Sequence, residues 1–150
     1  MTTMTATATQ VYSVFIKATP EQIWEAITKP EFTEKYFYAS RVELANGRRR
    51  AFGPEGQLWG DEAILEEDPP RRLVHGWRGL YDPELAEEAT SRVTWEIDQH
   101  EGGVSRLTVT HDQLEGAPRT AESVAGGWMY VLSGLKTLLE TGRPLASGES

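Results

Sequence analysis

A chain of 150 residues is the length of one domain and can bury a core without covalent staples. It contains no cysteine, which excludes disulfides, thiolate metal sites and a cysteine nucleophile. Fifteen basic against 23 acidic residues leave a formal net charge of -8, which opposes non-specific attraction to nucleic acid or to an anionic membrane.

The opening MTTMTATATQ has neither a basic start nor an apolar run, so residues 1–9 are expected to be a disordered leader rather than a secretory signal. No stretch approaches membrane-spanning length, and the expectation is a cytoplasmic protein that does not insert into membranes. Val11 to Lys17 (VYSVFIK) is β-branched and aromatic and reads as a strand. Helix signals follow at once, with Thr19 as cap, Pro20 at the first position and Gln22 completing a capping box. Ile23, Trp24 and Ile27 form the buried side of this helix, and Lys29-Pro30 ends it. A second short helix runs from Pro30 to about Tyr36. Helices this brief are marginal alone and must dock on something.

From Arg41 the period changes to two. RVELA, Asn46-Gly47 and RRRAF make a tight hairpin, because asparagine-glycine accepts the positive φ of a type I′ turn. The three arginines at 48–50 cannot all face one way, and they read as a solvated hairpin edge rather than a phosphate site. GPEG turns the chain into LWGDEAILEE, and Asp68-Pro69-Pro70 turns it again into RRLVHGWR. In that strand Leu73, His75 and Trp77 share one face. Residues 79–89 lack alternation and read as a loop with one helical turn after Pro83, long enough to lie over a pocket mouth. SRVTWEID and SRLTVTH then alternate cleanly around Gly102-Gly103, with Val93, Trp95 and Ile97 inward on one and Leu107, Val109 and His111 on the other. Last comes Thr120 to Thr141, where Val124, Trp128, Val131, Leu135 and Leu138 share one helical face. Thr120 is the expected cap, Gly142 the left-handed close, and residues 143–150 a flexible tail.

Strands in a run with helices segregated to its ends predict an α+β fold of two layers. The expected architecture is a curved antiparallel sheet of six to seven strands gripping the long C-terminal helix, in one domain spanning residues 10–142. One helix cannot fill the concavity of such a sheet, so a cavity is the natural outcome.

ATPEQIWEAIT, PPRRLVHGW and GGWMYVLSGLKTLLE resemble the helix-grip superfamily of START-related and pollen-allergen-like (SRPBCC) domains. Within it, the chain is similar to the branch of the C-terminal domain of heat-shock-protein-90 ATPase activators, over roughly residues 10 to 142. The resemblance implies an apolar pocket between sheet and helix. Where the second short helix would often end on tryptophan, this chain has Tyr36 and Phe37, and a single domain is expected, without the additional N-terminal domain of the eukaryotic activators. The family includes binders, carriers and cyclases, so its fold alone does not settle function.

Catalytic constellations are weak in this sequence. His111 and Asp112 are adjacent strand residues facing opposite ways, and no Gly-x-Ser-x-Gly elbow exists, so a serine triad is rejected. The histidines His75, His100 and His111 lack metal-ligand spacing, and Gly53, Gly56 and Gly60 do not open a helix as a phosphate loop would. No metal, cofactor or catalytic residue is assigned. The leading expectation is a binder of a small aromatic or lipid-like molecule touching Trp77, Trp95, Trp128, Val131 and Leu135. Tyr36 and Phe37 would stand near the entrance, and His75 would be the polar handle. Gly127 and Gly134 flank the helical stripe, where side-chain volume is unwelcome. Two alternatives stay open: a polyketide cyclase- or aromatase-like enzyme in which His75 or Tyr36 moves protons, and a partner-binding module that stimulates a chaperone ATPase. Monomer and homodimer are both compatible with this reading.

Overall fold

The computed structural model describes residues 9–146; residues 1–8 of the expected leader and 147–150 of the expected tail lie outside the described residues. In chain order the elements are β1 (Gln10–Ile16), α1 (Pro20–Thr28), α2 (Pro30–Tyr36), β2 (Arg41–Ala45), β3 (Arg48–Phe52), β4 (Leu58–Asp68), β5 (Arg72–Trp77), α3 (Pro83–Ala86), β6 (Ser91–Gln99), β7 (Ser105–Asp112) and α4 (Pro118–Thr141). The seven strands form one sheet in the order β1-β7-β6-β5-β4-β3-β2. Every neighbouring pair is antiparallel, so β2 to β7 is a continuous meander and β1 closes the β7 edge.

Local sequence accounts for most of these elements. Thr19 and Gln22 make the reciprocal capping box, with Gln22 N–H donating to Thr19 Oγ1 at 3.1 Å and Thr19 N–H to Gln22 Oε1 at 2.8 Å. Two orphan donors of α1 are satisfied this way, and losing such a cap typically costs ~1 kcal/mol. Asn46 and Gly47 take φ values of 55° and 76°, so the β2–β3 hairpin turns in two residues. The stripe of α4 is buried as its spacing predicts, from Val124 through Trp128, Val131 and Leu135 to Leu138. It meets Leu73, Val93, Trp95, Leu107 and Val109 of the sheet in one core.

The start of α4 differs from the sequence expectation. The helix begins at Pro118, and Thr120 is a buried residue of its first turn rather than the cap. The cap comes from the loop after β5: the Glu88 carboxylate accepts Arg119 N–H at 2.9 Å, Thr120 N–H at 2.8 Å and the Thr120 hydroxyl at 2.8 Å. Burial opposes the charge on Glu88, but these donors hold its carboxyl below the ordinary glutamate value. At the other end Gly142, with φ 78°, donates to Leu138 O at 2.8 Å and closes the helix.

The small helices plug one end of the concavity. A Cβ on Gly134 would lie 3.2 Å from Tyr36 Cβ, so this glycine lets α2 rest directly on the C-terminal half of α4. Tyr36 is buried there and donates its hydroxyl to Ala26 O at 2.8 Å. The space left open lies beside the N-terminal half of α4.

Candidate functional site

A cavity of about 350 Å³ lies between the β3–β5 part of the sheet, the segment after α2, and α4. Its apolar wall is made by Phe37, Trp77, Trp128, Val124 and Val131. The Phe37 and Trp77 rings stack with centroids 6.2 Å apart, and Trp128 stands 5.4 Å from Trp77 and 5.9 Å from Phe37. Tyr38 and Tyr81 line the mouth and are half in solvent, at 52% and 47% exposure. Tyr81 reaches it from the loop before α3 and meets the Trp59 ring edge-on at 6.3 Å, so the loop expected over the opening does contribute to it. Gly127 also faces the cavity, where a Cβ would meet only the Tyr38 hydroxyl at 3.4 Å.

The polar feature of the cavity is an ion pair. Arg49 and Glu62 are 2% and 5% exposed, and Arg49 Nη1 lies 3.4 Å from Glu62 Oε1. Its guanidinium carbon sits 5.7 Å from the centroid of Phe37 and 5.5 Å from that of Trp77, within cation–π range of both. This corrects the reading of residues 48–50 as a wholly solvated edge. Arg48 and Arg50 do face outward, with their Nε atoms 2.6 Å and 3.5 Å from Asp61 Oδ1, while Arg49 points in. Hairpin register imposes this: Arg49 pairs with Leu44 and Ala51 with Val42, so Arg49 must share the apolar face of β2. Glu62 is its partner one strand further on. Gly60 makes room for that carboxylate, since a Cβ there would fall 2.7 Å from Glu62 Oε2. Burial pushes the Glu62 carboxyl up to about 7, against the opposing pull of Arg49 and of the Arg78 N–H. Burial likewise lowers the Arg49 guanidinium, with Glu62 opposing it.

Two polar atoms of this wall are buried without a hydrogen-bond partner among the described residues: Nε of Arg49 and Nε1 of Trp77. The other buried indoles are differently placed. Trp95 Nε1–H donates to His75 Nε2 at 3.0 Å, and Trp128 Nε1–H to His111 Nδ1 at 3.0 Å. These bonds fix both tautomers. His75 Nδ1–H therefore donates to Gly76 O at 2.7 Å, and His111 Nε2–H to Ser91 Oγ at 2.7 Å, leaving the serine hydroxyl to donate to Trp77 O at 3.3 Å. Burial drives the His75 imidazole well below its ordinary value, helped by the charge of Arg49. Burial also lowers His111 to about 4, with Asp112 opposing. Both rings are neutral scaffolding. Asp112 faces the other way and pairs with Arg92, its Oδ1 accepting from Arg92 Nε at 2.9 Å.

Of the residues singled out from the sequence, Phe37, Trp77, Trp128 and Val131 come together on the cavity wall. Tyr36, His75, Trp95 and Leu135 lie in the packed core outside that lining, with the hydrogen-bonding atoms of Tyr36, His75 and Trp95 already committed. Sequence reasoning missed Arg49, Glu62, Trp59 and Tyr38. The signal for Arg49 was present, because a two-residue turn at Asn46-Gly47 already sets it opposite Leu44. Among the described residues no group of three or more His, Asp or Glu is placed to hold a metal ion, and no helix is long and apolar enough to cross a membrane.

A seven-stranded curved antiparallel sheet clasping a C-terminal helix, with two short helices after the first strand, defines the helix-grip class. Residues 17–140 match the family described as Activator of Hsp90 ATPase homolog 1-like protein, and the chain belongs to that family. Among curated proteins there is no significant match. Solved structures share the fold. MLL2253 from Mesorhizobium loti is 24% identical, with a TM-score of 0.70 over 88% of this chain and 96% of that one. CalU16 from Micromonospora echinospora is 22% identical, with a TM-score of 0.67 over 91% and 76%. Aha1 from Colwellia psychrerythraea, solved as a dimer, is 19% identical, with a TM-score of 0.69 over 89% and 97%.

Proposed function

We propose that this chain is a cytoplasmic binder of a small, flat, apolar molecule, aromatic or lipid-like, held between the sheet and α4. The observation that carries this reading is an aromatic-walled cavity of about 350 Å³ that α2 leaves unplugged. That volume lies within the range of about 300–1,000 Å³ typical of small-molecule pockets. The lining follows the same pattern, mostly apolar with a few buried polar groups. A natural protein core rarely tolerates such space without cost, because lining atoms forfeit their dispersion contacts. A guest would restore them.

The test is titration with the neutral fluorescent probe N-phenyl-1-naphthylamine, with thermal unfolding in parallel. Saturable enhancement and a raised Tm are expected; a ligand at 100 times its Kd adds about 2.7 kcal/mol to stability. Gly127→Phe, which puts a ring into the cavity from a position otherwise open, should abolish both responses. Absence of saturable binding to the parent protein, or undiminished binding to Gly127→Phe, would refute the proposal.

Two observations favour further readings of the same site. For a cyclase-like enzyme, the acid–base group would be Glu62, because His75 and Tyr36 lie outside the cavity lining with their hydrogen bonds taken. For a chaperone-directed role, support comes from the family description. Stimulation of an Hsp90-class ATPase on mixing would favour it, and an unchanged rate would count against it.

A further inference from the structure

We propose that the cavity recognises its guest through one neutral acceptor oxygen, a carbonyl, taken by the Nε–H of Arg49 and the indole N–H of Trp77. The inference deepens the binding reading above and rests on it. Its basis is asymmetry within the polar inventory of the core. The indoles of Trp95 and Trp128 and the hydroxyl of Tyr36 are all paired. The two exceptions are both donors and both on residues of the cavity wall, with the guanidinium carbon over the Trp77 ring at 5.5 Å from its centroid. A buried donor without an acceptor is costly, and a guest oxygen would relieve that cost on this wall.

The acceptor's charge follows from its neighbours. Arg49 already faces the Glu62 carboxylate through Nη1 at 3.4 Å. An anionic headgroup would set a second negative charge against Glu62 in surroundings of low polarity. A carbonyl supplies lone pairs without that penalty. Its flat conjugated body would lie along the Phe37, Trp77 and Trp128 rings. The guanidinium carbon lies 5.7 Å from the Phe37 centroid, so the ring on which the guest stacks adjoins the donor.

The test compares three probes of one shape at pH 8: 2-ethylnaphthalene, 2-acetylnaphthalene and 2-naphthoate, each titrated calorimetrically. The expected result is that the ketone binds about tenfold or more tightly than the hydrocarbon, as a charge-assisted hydrogen bond allows. Trp77→Phe, which deletes the N–H and trims the indole to a phenyl ring, should lower the ketone-to-hydrocarbon ratio several-fold, the shape change acting on both probes alike. Arg49→Met combined with Glu62→Gln, which removes the ion pair without stranding a charge, should also lower it several-fold, and all three substitutions together should bring it to near unity. Equal binding of ketone and hydrocarbon by the parent protein would overturn the inference while leaving the binder reading intact. So would a preference that survives undiminished in these variants. Tighter binding of the naphthoate would overturn the neutral-acceptor assignment. If none of the three binds, the binder reading and this inference fall together.

Discussion

Acidification from pH 6.5 to 4 should remove stability through His111, and the sign follows from its hydrogen bonds. Nδ1 of His111 accepts from Trp128 Nε1–H at 3.0 Å, so an imidazolium, which has no acceptor, loses that bond and must also be charged in the core. The folded-state value is depressed from 6.5 to about 4. Above the unfolded value both states are neutral and the contribution is fully present. Below it the unfolded chain takes up a proton that the folded chain refuses, and the contribution is lost as pH falls toward 4. At 1.36 kcal/mol per tenfold change, this depression corresponds to about 3 kcal/mol. For a domain stable by about 5–15 kcal/mol, that is a large share. The assay is urea unfolding of the parent protein and His111→Gln at intervals from pH 7 to 4. The variant lacks the titration, so carboxylates and His75 cancel in the comparison. The parent's advantage should shrink steadily toward acid; an advantage constant across the range would refute the reasoning.

Two further predictions concern α4. Glu88→Ala deprives the helix start of its acceptor for two backbone N–H groups and should lower stability by about 1 kcal/mol, read as a reduced Tm with a more mobile 79–89 loop by hydrogen exchange. The two helical glycines should respond with opposite signs in the same measurement. Gly127→Ala gains up to ~1 kcal/mol of helix propensity, because its Cβ would meet only the Tyr38 hydroxyl at 3.4 Å. Gly134→Val should lose about 1–3 kcal/mol, since its side chain is driven into Tyr36 and the α2 backbone.

The parts legible in the sequence are those governed by short-range chemistry. Thr19 with Gln22, Asn46 with Gly47, and the four-three spacing along α4 each determine local geometry within a few residues, and each appears where expected. The site was harder because it depends on which half of α4 the small helices cover. Val131 and Leu135 occupy the same helical face one turn apart. Only the docking of Tyr36 on Gly134 separates them, leaving one at the cavity and one in the core. His75 was read as a polar handle because it lies inward on β5. Its partner, Trp95, is set by the β5–β6 register, which places the two strands side by side across a loop of irregular sequence. Arg49 was hidden by its neighbours, since three arginines in a row suggest water on every side. The turn that contradicts this was in plain view.

Glu88 belongs to the same segment that carries Tyr81 to the cavity mouth, so the doorway and the first turn of the clasped helix share a fastening. Removing the Glu88 carboxylate would release both at once. Amide exchange at Arg119 and Thr120 would register any loosening of that shared fastening without a probe attached.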